Sequence, residues 1–387
     1  MKKFAVLFVL LALLAITLGG ADKAFAAPAP IKVGQLCALT GDFAGYGNTE
    51  ANAVKMALKE INAKGGVLGR PFEVIVYDNK SRVEDNVNAS RRLIDSDGVV
   101  AILGPQTSGM AMGMSAVVND RKIPQLAHIA TNPLVTVDEK GAVRPFVFRI
   151  CFTDPYAGLL AAEFAVNDLN VKEAAVLYDV SSEYAQGLRE FFVANFEKLG
   201  GKIVADEGYR LTDVDFRAQL TKIKETGAKV LFVPGYGKDM ALIIKQAQEL
   251  STGLTVLGSD GYAAFMNEIA GDAMKGTIWV NHMYEEDPAL QRFFADYKKE
   301  YNDECKEYVT GILAYECLYW LADAITRAGT TDGPAVAKAL EETKGLQLMH
   351  AVLTIDPKTH TPLNKAGIIL KVDDNLVAKF FKKVEPK

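Results

Sequence analysis

The sequence predicts an α/β protein of two doubly wound, Rossmann-like lobes joined by a hinge of three chain crossings. Three observations predict it. Short apolar strands alternate with amphipathic helices over residues 31–128. The alternation restarts at residue 146 with no Gly/Ser/Pro-rich linker before it. Near residue 288 it gives way to helices in succession and then to strands. Regular βα alternation implies parallel sheets covered by helices on both faces. Returning the late helices to the first lobe and the last strands to the second puts the crossings near 149–154, 281–284 and 354–358. The expected lobes are then 27–150 with 284–355, and 151–283 with 356–387.

Each element has a local reason. Residues 31–36, 72–77, 99–103 and 123–128 are short apolar runs of strand length. Asn48 or Thr49 is placed to cap a helix in which Val54, Ala57, Leu58 and Ile61 share one face, and Gly65-Gly66 ends it. Helices over 84–95 and 109–121 complete the first run. In the second, 146–150 is extended and 155–169 helical. Strands at 174–178, 202–207, 229–233 and 254–257 are separated by helices at 185–199, 216–225 and 238–250. Helices over 288–301, 311–328 and 334–343 precede strands at 352–355, 367–372 and 377–381.

The first residues set the compartment. Lys2 and Lys3 precede an apolar run over 4–18, and Ala24-Phe25-Ala26 supplies small residues where a signal peptidase reads. The run is shorter than the roughly 20 residues a spanning helix needs. The expectation is a secretory signal peptide over 1–26 and a soluble mature protein beginning at Ala27. A lipid anchor needs a cysteine just after the run, and the first, Cys37, lies too far on. Removing 1–26 takes away three lysines and one aspartate and leaves a net charge of −7. That balance offers no electrostatic footprint for nucleic acid or anionic lipid. Four cysteines are too few to scaffold so long a chain. A helix running through Cys305 and Cys317 would hold them about 18 Å apart. A break at Asn302-Asp303 leaves a bridge open.

Catalytic signatures are missing. His128, His282, His350 and His360 have no metal-ligand spacing, and HExxH, GxSxG and GxxxxGK[ST] do not occur. Gly45-Tyr46-Gly47 begins like GxGxxG, but Glu50 holds the sixth position. No cofactor or catalytic residue is expected, and the chain reads as a non-enzyme.

The segments just after the strands are more informative, because open α/β sheets bind ligands beyond the carboxyl ends of their strands. In the first half these ends lead into Thr40 to Gly47 with Tyr46, into Gln106-Thr107-Ser108, and into Ile129-Ala130-Thr131-Asn132. Hydroxyls and helix-start N–H groups there suit a carboxylate. In the second half they lead into Tyr184, Tyr236 and Asp260. Two aromatic rings and a carboxylate suit an ammonium. One ligand carrying both charges is an α-amino acid.

The run "ALTGDFAGYGNTEANAVKMALKEINAKGGVLGRPFEVIVYDNKS" resembles the opening of the periplasmic leucine/isoleucine/valine-binding protein family, the solute receptors of ABC transporters. The resemblance continues through Ile102-Leu103-Gly104-Pro105, Tyr184-Ala185-Gln186-Gly187, Gly235-Tyr236 and Gly258-Ser259-Asp260-Gly261, over essentially the whole chain past the leader. It implies the type I periplasmic binding fold. It also implies a periplasmic monomer that captures an amino acid, branched-chain or similarly apolar, by hinge closure and delivers it to permease subunits in the inner membrane. By the same resemblance Ser108 and Thr131 match the carboxylate positions, and Tyr184 and Asp260 the ammonium positions. Tyr46, Tyr236 and Tyr308 match aromatic positions around the side chain. Two departures stand out. The disulfide of the best-known members is absent, since Lys80 or Ser81 and Thr107 occupy its positions. Gln106 stands where an apolar pocket residue is usual. An amide, an aromatic acid, or service as a sensor for a membrane receptor are the alternatives.

Overall fold

The computed structural model describes residues 28–386. The expected leader over 1–26 lies outside the described residues. The first sheet is fully parallel, in the order β2-β1-β3-β4-β5. Its strands are β1 (Ile31–Cys37), β2 (Phe72–Asp78), β3 (Ile102–Leu103), β4 (Gln125–Ala127) and β5 (Val147–Arg149). Side chains alternate between two buried faces. Val33, Leu103, Leu126 and Phe148 pack under α1 (Ala44–Ala63). Leu36, Ile102, Ala127 and Val147 pack under α3 (Ser108–Arg121), beside Leu93 at the wide turn that ends α2 (Val83–Arg92).

The second sheet has the order β16-β15-β10-β9-β8-β6-β7. The strands β6 (Glu173–Asp179), β7 (Lys202–Tyr209), β8 (Val230–Phe232), β9 (Thr255–Gly258) and β10 (Ile278–Asn281) run parallel. The terminal strands β15 (Gly367–Val372) and β16 (Ala378–Val384) join antiparallel. One face packs on α4 (Asp154–Glu163) and α5 (Glu183–Lys198). The other packs on α6 (Arg217–Glu225), α7 (Gly237–Glu249) and α8 (Met266–Ala270). The late helices α9 (Gln291–Tyr301), α10 (Tyr308–Ala328) and α11 (Gly333–Glu341) share one apolar core with α1 and the first sheet. The chain therefore passes between the sheets three times.

Several local expectations need correction. β10 has no counterpart among the strands predicted from sequence, although Ile278-Trp279-Val280 is apolar and fully buried. Helix α1 begins at Ala44, not after Asn48. Gly45-Tyr46-Gly47 reads as a loop, but Gly47 serves close packing: a Cβ there would stand 2.1 Å from the Ala38 carbonyl oxygen. The strand expected over 352–355 is divided. β12 (Val352–Leu353) pairs with β11 (Leu346–Gln347), and β13 (Ile355–Asp356) pairs with β14 (Thr361–Pro362). That second hairpin still rests on the first sheet. His360 stacks on Phe148 at 4.1 Å, and its carbonyl accepts from the Arg149 N–H at 3.1 Å. The last crossing thus follows Pro362, later than the spacing suggested. A left-handed Asn302 ends α9, and both Cys305 and Cys317 are free.

Candidate ligand-binding site

Each sheet has one place where its strand order reverses: between β1 and β3 in the first, between β6 and β8 in the second. A crevice opens outside the strand ends at such a switch point. The two crevices face each other. From the first come Phe43 and Tyr46, after β1, and Gln106 and Thr107, after β3. From the second come Tyr184, after β6, and Tyr236, after β8. With Ile129, Asp260, Gly261 and Thr310 they enclose a cavity of about 30 Å³. A cavity of about 20 Å³ adjoins it, lined by Tyr46, Ile129, Asp260 and Thr310 together with Tyr262 and Lys306 to Val309. A larger hollow of about 500 Å³ lies at the crossings and one of about 280 Å³ beside α9 and α10. Neither lies between the two switch points, so the small cavity there is the candidate site.

Local folding places these side chains. Asp78, at the end of β2, accepts from Leu39 N–H at 2.9 Å and from the Thr40 hydroxyl at 2.6 Å, which fixes the turn into α1. Thr107 caps α3, its hydroxyl accepting from Met110 N–H at 3.4 Å. Ser182 caps α5 in the same way and sets Tyr184 in the first turn. The loop after β4 is held by Arg149, which donates to the carbonyls of Ala130, Asn132 and Pro133 and to the Thr136 hydroxyl. Tyr184 and Tyr236 stack at 5.0 Å, and Phe43 meets Tyr236 edge-on at 4.9 Å.

The lobes are closed on one another. The Tyr46 hydroxyl donates to the Gly261 carbonyl at 2.7 Å and accepts from Gly237 N–H at 2.9 Å. Asn132 donates to the Glu183 carbonyl at 2.8 Å. Glu307 accepts from Ala264 and Phe265 N–H at 3.1 and 3.3 Å. Lys238 pairs with Asp42 at 3.0 Å. Gly261 has to be glycine at this seam, since a Cβ would stand 1.9 Å from the Gly235 carbonyl.

Asp260 is the electrostatic centre. It is buried, and Oδ1 accepts from the Tyr184 hydroxyl at 2.8 Å and the Ser259 hydroxyl at 3.2 Å. Oδ2 lies 3.3 Å from His282 Nε2. Burial lowers the His282 pKa to about 4, against the opposing pull of Asp260. The imidazole is therefore neutral near pH 7. Its Nε2 carries the proton that the carboxylate accepts, and its Nδ1 is bare and without a hydrogen-bond partner among the described residues. Burial holds the phenols of Tyr46, Tyr184 and Tyr236 well above their ordinary range. For Tyr184 and Tyr236, Asp260 adds to the rise. All three stay neutral hydroxyls.

Most residues singled out from sequence meet here. Tyr46, Gln106, Thr107, Ile129, Tyr184, Tyr236 and Asp260 line the main cavity, and Tyr308 the adjoining one. Ser108, Ala130 and Thr131 stand buried behind the wall and line neither. The Ser108 hydroxyl accepts from Asn132 N–H at 3.2 Å. Thr131 faces Asp154, a fully buried residue the sequence reading passed over. Neither the Thr131 hydroxyl nor the Asp154 oxygens have a partner of normal hydrogen-bond geometry. Burial pushes the Asp154 carboxyl well up, Thr131 and Arg149 pull against it, and Asp260 adds to the rise. Thr310, His282 and Asp154 were missed. Only His282, directly after β10, carried a positional signal. Among the described residues no cluster of His, Cys, Asp and Glu could hold a metal ion, and no helix is long and apolar enough to cross a membrane.

Comparison with known proteins agrees with this arrangement. The chain is 30% identical to a Leu/Ile/Val-binding protein, BraC3, of Rhizobium johnstonii, over 84% of this chain and 87% of that one. Its structure is similar to the leucine-binding protein LivK of Thermotoga maritima, with a TM-score of 0.85 and 29% identity over 92% of this chain and 99% of that one. It is also similar to LivJ of Streptococcus pneumoniae, a branched-chain amino acid transporter substrate-binding protein solved with isoleucine. There the TM-score is 0.83 and the identity 26%, over 92% of this chain and all of that one. A profile described as periplasmic binding protein matches residues 30–375, and the chain belongs to that family.

Proposed function

We propose that this protein captures a small α-amino acid, of branched-chain size, between its two lobes and hands it to a membrane permease of an ABC transporter. The observation that carries the reading is Asp260. A carboxylate closes one side of a cavity otherwise walled largely by aromatic rings, with no cation among the residues lining that cavity. A ligand ammonium is the natural partner for it. From the other lobe Thr107, after β3, and Ile129, after β4, face the cavity, and the N–H groups of these two loops are the donors this reading assigns to the ligand carboxylate. In this reading the mature chain starts at Ala27, works in the periplasm as a monomer, and turns over no substrate. Its lobes comprise 27–150 with 284–362, and 151–283 with the segment after Pro362.

A thermal-shift screen on refolded, ligand-free protein tests it. An amino acid at about 100 times its Kd adds roughly 2.7 kcal/mol of stability. Its 2-keto acid, which lacks the ammonium, is expected to give no shift. A shift with the keto acid or with benzoate, and none with any amino acid, refutes the reading.

A further inference from the structure

Gln106 lines the main cavity and is 6% exposed, yet its Nε2 has no hydrogen-bond partner among the described residues. Which end of this amide is bonded to the protein and which is left for a ligand is settled by a chain of amides behind it, whose polarity is pinned by main-chain groups. A carbonyl oxygen can only accept, so the Asn86 atom 3.1 Å from Met110 O is Nδ2. Asn86 Oδ1 therefore turns to Asn79, whose Nδ2 donates to it at 3.3 Å. Independently, Ser81 N–H can only donate, and it meets Asn79 Oδ1 at 3.1 Å. Both ends thus make Nδ2 the Asn79 atom that faces Gln106, and it donates to Gln106 Oε1 at 3.4 Å. The acceptor end of Gln106 is used, and the N–H end is left over.

From this we infer that Gln106 is a specificity-determining residue, whose N–H group selects a ligand bearing a side-chain oxygen acceptor: a hydroxyl or an amide carbonyl. The inference rests on the amino-acid reading of the cleft and narrows it. Two of the neighbouring hydroxyls are already committed. The Tyr46 hydroxyl spends both its donor and its acceptor across the lobes, and Tyr184 donates to Asp260. A purely aliphatic side chain would close the cavity over a buried donor and leave it unpaired, which is costly. A site built to hydrogen-bond a substrate group discriminates strongly against the isostere that lacks it.

Isosteric pairs read this directly: threonine against valine, and asparagine against leucine, titrated calorimetrically into refolded protein. In at least one pair the polar member should bind at least about tenfold more tightly. Gln106→Leu should reduce that preference by about tenfold. Asn79 keeps Asn86 Oδ1 as an acceptor, so the variant is expected to fold. Gln106→Glu still offers Asn79 an acceptor but turns a second oxygen to the cavity. It should weaken the polar member more than the aliphatic one. If the aliphatic members bind the parent at least as tightly and Gln106→Leu leaves both ratios within twofold, the inference is overturned while the amino-acid reading stands. If no amino acid of either kind binds, both fall together.

Discussion

Replacing Asp260 by Asn tests the charge assignment with little change of shape. A carboxylate offers about four lone-pair sites. Three are taken, by the Tyr184 and Ser259 hydroxyls and by His282 Nε2. One is left, so a ligand ammonium gains a single charge-assisted bond to this group. That places the expected loss near the lower end for truncating a buried charge pair, about 2–3 kcal/mol, or thirtyfold or more in Kd. The same substitution should stabilise the ligand-free protein. Asp260 is buried with no cation among the residues that hold it, and burying an unpaired charge is costly. We expect the ligand-free melting temperature to rise by ~1–3 °C while the ligand-induced shift shrinks. Calorimetry and thermal melts on refolded protein read both quantities. Ser108→Ala, which removes an acceptor used by Asn132 N–H, should cost affinity less than tenfold. An Asp260→Asn variant that binds amino acids as tightly as the parent would refute the reasoning, since no ammonium could then sit against that group.

Two further perturbations address closure and pH. Tyr46→Phe deletes both inter-lobe hydrogen bonds of that hydroxyl; it should weaken ligand binding by roughly 1–2 kcal/mol and enlarge the ligand-free radius of gyration in solution scattering. An unchanged affinity and scattering curve would show that the bonds do not hold the lobes together. Burial pushes the Glu307 carboxyl up to about 7, although the Ala264 and Phe265 N–H groups pull it down. The folded protein therefore holds a proton there that the unfolded chain releases near pH 4.3, and stability present below that pH is lost as pH rises toward 7. The parent should lose up to roughly 3 kcal/mol over this window through Glu307, and Glu307→Gln should remove that share of the slope in urea unfolding. Equal slopes in parent and variant would refute the assignment.

The strand-end loops were readable because doubly wound sheets put their working residues at predictable places. Tyr184, Tyr236 and Asp260 needed only the positions of β6, β8 and β9. Thr310 was not readable, because it sits on a helix that reaches the site by returning to the first sheet, and no local pattern marks that return. Ser108 and Thr131 show a different gap. Their side-chain chemistry was right for a ligand, but hydroxyls at such turns also have main-chain and carboxyl neighbours, and only coordinates tell which way they point. The early start of α1 was hidden by two glycines that signal flexibility in sequence, one of which serves here to let Ala38 approach. The polarity of the amides behind Gln106 depends on residues that are not adjacent in sequence and was out of reach from pattern alone.

The three crossings also govern how the molecule can assemble. A chain grown only as far as Asn281 has all of β1 to β10, yet neither lobe is finished. The α1 face made by Ala53, Val54, Ala57 and Ile61 still lacks α10, and β10 still lacks its antiparallel neighbour β15. No single cut separates the chain into two fragments that each enclose a whole core. Both halves must wait for the last third of the polypeptide, so folding is dominated by distant contacts and is expected to be slow for the size of the sheets. A chain that stays unfinished until its end is made also stays open for as long as it is being threaded or escorted.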